Sequence, residues 1–247
     1  MSERYELHTG DSLVILPTLP ENSVDAIVCD PPYELGFMGR EWDRSGIANN
    51  PELWRAALRV LKPGGHMLAF GGTRTFHRMT CAVEDAGFEI RDCLSWLYGS
   101  GFPKSHNLEG EFAGWGTALK PAWEPIILAR KPLVGTVAEN VALYHVGALN
   151  IDACRVATAD DLNGGAYAKS GGRTVSQSLH ADSGMNQPGK TTGVEFQQPP
   201  GRWPANLIHD GSPEVVAGFP AEAGAFAQVR GTESSRPVKN CYGTFAR

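Results

Sequence analysis

One short run of the chain carries residue types suited to a defined chemistry: Asp30-Pro31-Pro32-Tyr33. The Asp30 carboxylate and the Pro31 carbonyl are two hydrogen-bond acceptors, and a planar exocyclic amine has two hydrogens to give them. Held that way, the nitrogen is drawn toward tetrahedral geometry with its lone pair free to face an electrophile. Prolines donate no main-chain hydrogen and fix φ, so Pro31 and Pro32 present the acceptors in a rigid frame. Tyr33 offers a face on which an extruded base stacks, worth about 1–3 kcal/mol, which offsets part of the cost of unstacking that base. Asp and Pro are also favoured turn residues, so the same four positions read equally as the end of a strand.

The elements around the run decide between these readings. Val24-Asp-Ala-Ile-Val-Cys29 is a near-continuous apolar run, expected to be a strand buried on both faces, and it leads straight into Asp30. Residues 5–11 read as a strand ending in a Gly-Asp turn, 12–19 as a short helix, and 51–61 as an amphipathic helix capped by Asn49 or Asn50 and ended by Lys62-Pro-Gly-Gly65. His66-Met-Leu-Ala-Phe70 follows as a strand, Gly71-Gly72 as its turn, and 75–86 as a helix closed by Gly87. Residues 88–98 and 123–130 supply two more strands, so an open, mostly parallel α/β sheet is expected, with ligands at the carboxyl ends of its strands. After Lys131 the pattern weakens. Residues 158–202 show no helix or strand period, 202–210 recover one strand, and 213–219 a helical turn or two.

Composition narrows the field. With 247 residues, 42% hydrophobic and 20% charged, the chain has globular usage. Its net charge of −5 excludes a purely electrostatic DNA coater, so any nucleic-acid contact must use a local basic surface. Lys104, His106, Lys120, Arg130 and Lys131 supply positive charge near the later strands, and the Ser100 to His106 stretch is the candidate for phosphate. Five widely spaced cysteines give neither a disulfide scaffold nor a zinc ribbon, and a reducing cytoplasm is expected. No signal peptide or membrane span is visible. The seven histidines lack metal-ligand spacing, and no local Ser/His/Asp set or phosphate-binding loop is present. Two residues stay open between roles: Trp42 lines a base pocket or packs, and Glu124 orients the site or pairs with Lys120.

From Tyr5 to about Lys131 the sequence resembles the DNA amino-methyltransferases that use S-adenosylmethionine and carry an Asp/Asn/Ser-Pro-Pro-Tyr/Phe motif. It is similar in particular to the permuted, beta-type members of bacteria and their phages. The matching features are Gly10-Asp11, the Leu19 to Tyr33 segment, Leu61-Lys-Pro-Gly-Gly65 and Ser95-Trp-Leu-Tyr-Gly-Ser-Gly-Phe-Pro-Lys104. The resemblance implies a Rossmann-like class I methyltransferase sheet, α/β with helices on both faces, and double-stranded DNA with a flipped base as substrate. It implies that Asp30, Pro31, Pro32 and Tyr33 are catalytic and that Asp11 and Asp30 bind the cofactor, while the local positive charge marks Lys104, His106 and Lys120 as the candidate nucleic-acid contacts. Asp at the motif's first position favours adenine N6 over cytosine N4.

One departure shapes the expectation. The family's Phe-x-Gly-x-Gly cofactor turn, C-terminal in permuted members, is not found after Arg202; Phe70-Gly-Gly-Thr and Tyr98-Gly-Ser-Gly read as strand-end turns. An incomplete sheet is therefore expected, with the strand at Glu6 lacking its neighbour and a second chain or a further C-terminal segment completing the cofactor site. The expected divisions are 1–157 as catalytic α/β region, 158–202 as irregular target-recognition insertion, and 203–247 as strand, short helix and polar tail. Two further readings remain: a catalytically incomplete nucleic-acid-binding or partner subunit, and a methyltransferase acting on an RNA or protein amine.

Overall fold

The structure, a computed structural model of the chain, describes residues 5–36, 39–103, 105–157 and 200–218. Lys104 and nearly all of the 158–202 segment lie outside the described residues, as does the tail after 218. Two units separate, one drawn from Met1–Arg155 and Trp203–Ala217 and the other from Val156–Arg202 and Gly218–Arg247. The first holds every strand and helix described below. In the second, Val156 and Arg202 exchange main-chain hydrogen bonds of 3.1 and 2.8 Å.

The first unit is built on five strands: β1 (Val24–Cys29), β2 (Leu61–Phe70), β3 (Glu89–Leu97), β4 (Trp123–Arg130) and β5 (Leu207–His209), in the spatial order β1-β2-β4-β3-β5. β1 lies parallel to β2 and β5 parallel to β3, whereas β4 runs antiparallel to both of its neighbours. Four strands thus share one direction, as expected, and β4 opposes them from within the sheet. The helices are α1 (Ser12–Ile15), α2 (Pro51–Val60), α3 (Phe76–Asp85), α4 (Val137–Tyr144) and α5 (Pro213–Val216).

The helix ends follow local chemistry. Asn50 caps α2 by accepting the Glu52 N–H at 3.0 Å, with Pro51 in the first turn where its missing N–H costs nothing. Gly87, at φ +105, terminates α3 in a conformation that disfavours a side chain. One sheet face, through Met67, Ala69, Ile127 and Ala129, meets Leu53, Trp54 and Ala57 of α2 and Met79, Ala82 and Val83 of α3, forming the core. No described helix is long and apolar enough to cross a membrane.

Four readings change. Residues 5–11 form no strand and are exposed throughout, because a strand gains its hydrogen bonds from a neighbour and none lies beside this segment among the described residues. β1 is an edge strand rather than one buried on both faces: Ile27 and Cys29 pack against the core while Val28 is 69% exposed. The Lys62-Pro-Gly-Gly65 run is a bulge within β2, since Val24 pairs with Leu61 and Ala26 with His66. Helix α4 was unforeseen. Its signal is Thr136 and Glu139, a reciprocal capping box, and its buried Asn140 staples the bulge by donating to the Pro63 and Val146 carbonyls at 2.9 and 2.8 Å.

Candidate active site

Asp30 to Tyr33 leave the carboxyl end of β1, where Cys29 lies opposite Ala69, so the motif stands beside the Gly71-Gly72 turn that ends β2. Ile126 pairs with Phe70 and Glu124 with Trp96. Because β4 is antiparallel, its first residues, Trp123 and Glu124, arrive at this same end of the sheet. Three strand termini therefore converge on the motif.

Tyr33 is held at two points. Its hydroxyl donates to Glu124 Oε2 at 3.2 Å, and its carbonyl accepts from Thr75 Oγ1 at 2.5 Å. Gly72 backs the ring so closely that a Cβ there would stand 3.2 Å from Tyr33 Cδ2. Pro32, Tyr33, Gly72, Thr75, Phe76 and Met79 line a cleft open to solvent. Asp30 is exposed next to it. Burial, then the negative charges of Glu124 and Asp30 and hydrogen bonding to them, push the Tyr33 phenol far above its ordinary value, so at neutral pH it remains a protonated donor. Burial, then the negative charge of Glu124, raise the Tyr98 phenol as well.

The loop after the motif is folded by two carboxylates that each accept backbone N–H groups from across the loop. Asp43, only 2% exposed, accepts the Glu34 N–H at 2.9 Å, and its own carbonyl accepts the Gly36 N–H at 2.9 Å. Glu34 in turn accepts the Gly46 N–H at 2.8 Å and the Ala48 N–H at 3.4 Å. Glu34 sits at φ +57, a left-handed conformation uncommon for a side chain of its size and sustained by these bonds. Trp42, in this loop, is 58% exposed and is not among the residues lining the cleft.

The other candidates sit apart from this cluster of contacts. Asp11 is the N-cap of α1, its Oδ1 accepting the Leu13 N–H at 2.9 Å, and it is exposed. His106 and Lys120 lie on the exposed segment between β3 and β4, where the His106 N–H donates to Thr117 Oγ1 at 2.9 Å. Arg130 and Lys131 are committed internally. The Arg130 guanidinium bonds Glu89 Oε2 at 2.6 and 3.1 Å, and the Lys131 ammonium bonds Asn22 and the Leu61 carbonyl at 2.7 and 2.8 Å. Glu124, left open between two roles, turns its carboxylate to Tyr33. Thr75 and Gly72 were missed as site residues, since no local pattern announces a hydroxyl that meets a carbonyl 42 positions away.

The fold is an α/β sheet with Asp-Pro-Pro-Tyr at the carboxyl end of an edge strand, and comparison with known proteins places the chain in a family. The family model described as DNA methylase, of the N6/N4 type, matches residues 24–164, over half of the chain. The chain belongs to this DNA methylase family. Among its relatives, the type II methyltransferase M.HindIII of Haemophilus influenzae is 25% identical over 200 residues, covering 58% of this chain and 64% of its own length. The type II methyltransferase M.HpaI of Haemophilus parainfluenzae is 30% identical over 102 residues, covering 39% and 32%. The chain thus spans less than two thirds of either relative. TTHA0409 of Thermus thermophilus, solved in complex with S-adenosyl-L-methionine, overlaps 55% of this chain and 57% of its own, at 23% identity and a TM-score of 0.38.

Proposed function

We propose that this chain methylates an exocyclic base amine in double-stranded DNA, adenine N6 ahead of cytosine N4, with S-adenosylmethionine as donor. The observation that carries the reading is the placement of Tyr33, fixed by Glu124 and Thr75 over Gly72 and beside the exposed carboxylate of Asp30. The ring provides a platform for a flipped base, and Asp30 with the Pro31 carbonyl accepts the two amine hydrogens. Pro32 keeps the frame rigid.

Exposed carboxylates suit the hydroxyl and ammonium groups of the donor, and Asp11 and Asp30 would hold it, Asp11 through the oxygen its helix cap leaves available. The donor supplies an electrophilic methyl group. Asp30 orients the amine lone pair and accepts, at its carboxylate, the proton the nitrogen sheds. His106 and Lys120, with Lys104, are the proposed phosphate contacts, and 158–202 the proposed target-recognition segment. The setting is the cytoplasm of a bacterium or of a phage-infected cell, in a restriction-modification role.

The test is transfer of labelled methyl from S-adenosylmethionine to double-stranded DNA, RNA and protein, by the wild type and by Asp30→Ala. Transfer to DNA that Asp30→Ala removes without changing the melting temperature is expected. Transfer to RNA or protein in place of DNA overturns the substrate, and wild-type turnover by Asp30→Ala overturns the site. DNA binding by a folded chain that transfers nothing marks a partner subunit.

A further inference from the structure

The Tyr33 phenol has one proton and two carboxylates that attract it, Asp30 three positions earlier and Glu124 on β4. Asp30 has a different task in the proposed reaction, which is to accept hydrogens from the amine. The hydrogen bond of 3.2 Å to Glu124 Oε2 ties the phenol to the start of β4.

We propose that Glu124 is a positioning residue for the target base: it holds the Tyr33 hydroxyl and so fixes the ring on which the base stacks. The inference rests on the proposed function. Glu124 is well placed for this task. It sits in register with Trp96 of β3, and the next residue, Pro125, accepts the Gly71 N–H at 3.0 Å, so one strand end sets both the Gly71-Gly72 turn behind the ring and the carboxylate beyond it. With Thr75 holding the carbonyl and Glu124 the hydroxyl, Tyr33 is pinned at both ends.

Two readouts on the full chain test this. The first is ¹³Cζ-tyrosine NMR, with Tyr33→Phe assigning the Tyr33 signal. The Tyr33 resonance is expected to titrate at lower pH in Glu124→Gln and Glu124→Ala than in the wild type, because a negative charge beside the phenol is gone. The second is affinity for a single-stranded oligonucleotide carrying 2-aminopurine, read by fluorescence quenching. Tyr33→Phe and Glu124→Ala are each expected to weaken binding about three- to tenfold, the effect of one hydrogen bond. The double variant is expected to bind no more weakly than either, and Glu124→Gln, which keeps an acceptor, within about twofold of the wild type. Additive losses, or a Tyr33 titration indifferent to Glu124, overturn the proposal. If wild type and Glu124 variants bind equally, the role of Glu124 alone falls. If the wild type binds no oligonucleotide, the proposed function falls first and this inference with it. Glu124→Gln keeps the test open should Glu124→Ala fail to fold.

Discussion

The hydroxyl of Tyr33 donates to Oε2 of Glu124, a residue 91 positions later in the chain, across 3.2 Å. The contact follows from strand direction. Tyr33 follows the carboxyl end of β1, and Glu124 reaches that end only because β4 enters the sheet there and runs opposite to β2 and β3. In a fully parallel sheet the amino end of that strand, Glu124 included, lies at the opposite end of the strands.

Gly72 is required by the ring it backs. Its Cβ in a Gly72→Ala variant would stand 3.2 Å from Tyr33 Cδ2 and 3.3 Å from both Leu35 Cδ1 and Thr75 Oγ1, so the ring must shift by a few tenths of an ångström. Gly72→Ala is expected to lower 2-aminopurine quenching several-fold while changing stability by about 1 kcal/mol, since these neighbours need give only a few tenths of an ångström. Fluorescence titration beside a urea melt checks both.

Asp11 has a cap role that the structure shows and a donor role that is proposed. Asp11→Ala removes the hydrogen bond to the Leu13 N–H, expected to cost on the order of 1 kcal/mol of stability. Asp11→Asn keeps the cap and removes the charge. If Asp11 holds the donor through its charge, calorimetry shows both variants losing S-adenosylmethionine affinity while only Asp11→Ala melts earlier. Equal donor affinity in all three proteins removes Asp11 from the cofactor site.

Asn140 is fully buried, donating to the Pro63 and Val146 carbonyls and accepting the Val134 N–H at 3.0 Å. Asn140→Leu leaves these main-chain groups without that partner inside the protein. The expected loss is about 2–4 kcal/mol, measured by urea denaturation. Gly64 lies against the same amide at φ +79, and a Cβ there would come within 2.3 Å of Asn140 Nδ2, so Gly64→Ala is expected to be destabilising too.

His66 gives the fold an acid-side dependence. Burial first, then the positive charges of Arg130 and Arg91, lower its pKa from the ordinary 6.5. The unfolded chain therefore binds this proton more readily than the folded one. The resulting penalty is absent well above pH 6.5, grows as pH falls through that value, and levels off below the folded pKa. His66→Gln is expected to lose less stability than the wild type between pH 7.5 and 5, read from paired thermal melts.

Cys29 is expected to be chemically quiet. Burial, with Asp30 adjacent, pushes its thiol up to about 11, whereas Cys81 and Cys154 are exposed. Peptide mapping after brief alkylation at pH 8 is expected to find label on Cys81 and Cys154 well before Cys29. Cys29 labelling at their rate would place it in solvent.

What the sequence by itself determined is local and periodic. An apolar run ending in Asp-Pro-Pro-Tyr locates β1 and its motif, because prolines stop a strand wherever it lies. The spacing of Leu53, Trp54 and Ala57, with Asn50 before them, defines α2, and Gly87 marks the end of α3 for the same short-range reasons. The motif proposed to be catalytic was legible on those grounds. Strand direction and pairing were not, because an apolar run such as 123–130 reads the same whichever way it crosses the sheet. A strand exists only where a neighbour satisfies its backbone, so residues 5–11, patterned as a strand, remain irregular in the described structure. The antiparallel entry of β4 brings Glu124 to Tyr33, and the path of α3 out of Gly71-Gly72 brings Thr75. Contacts 91 and 42 positions apart are made by the tertiary arrangement, which no local spacing encodes.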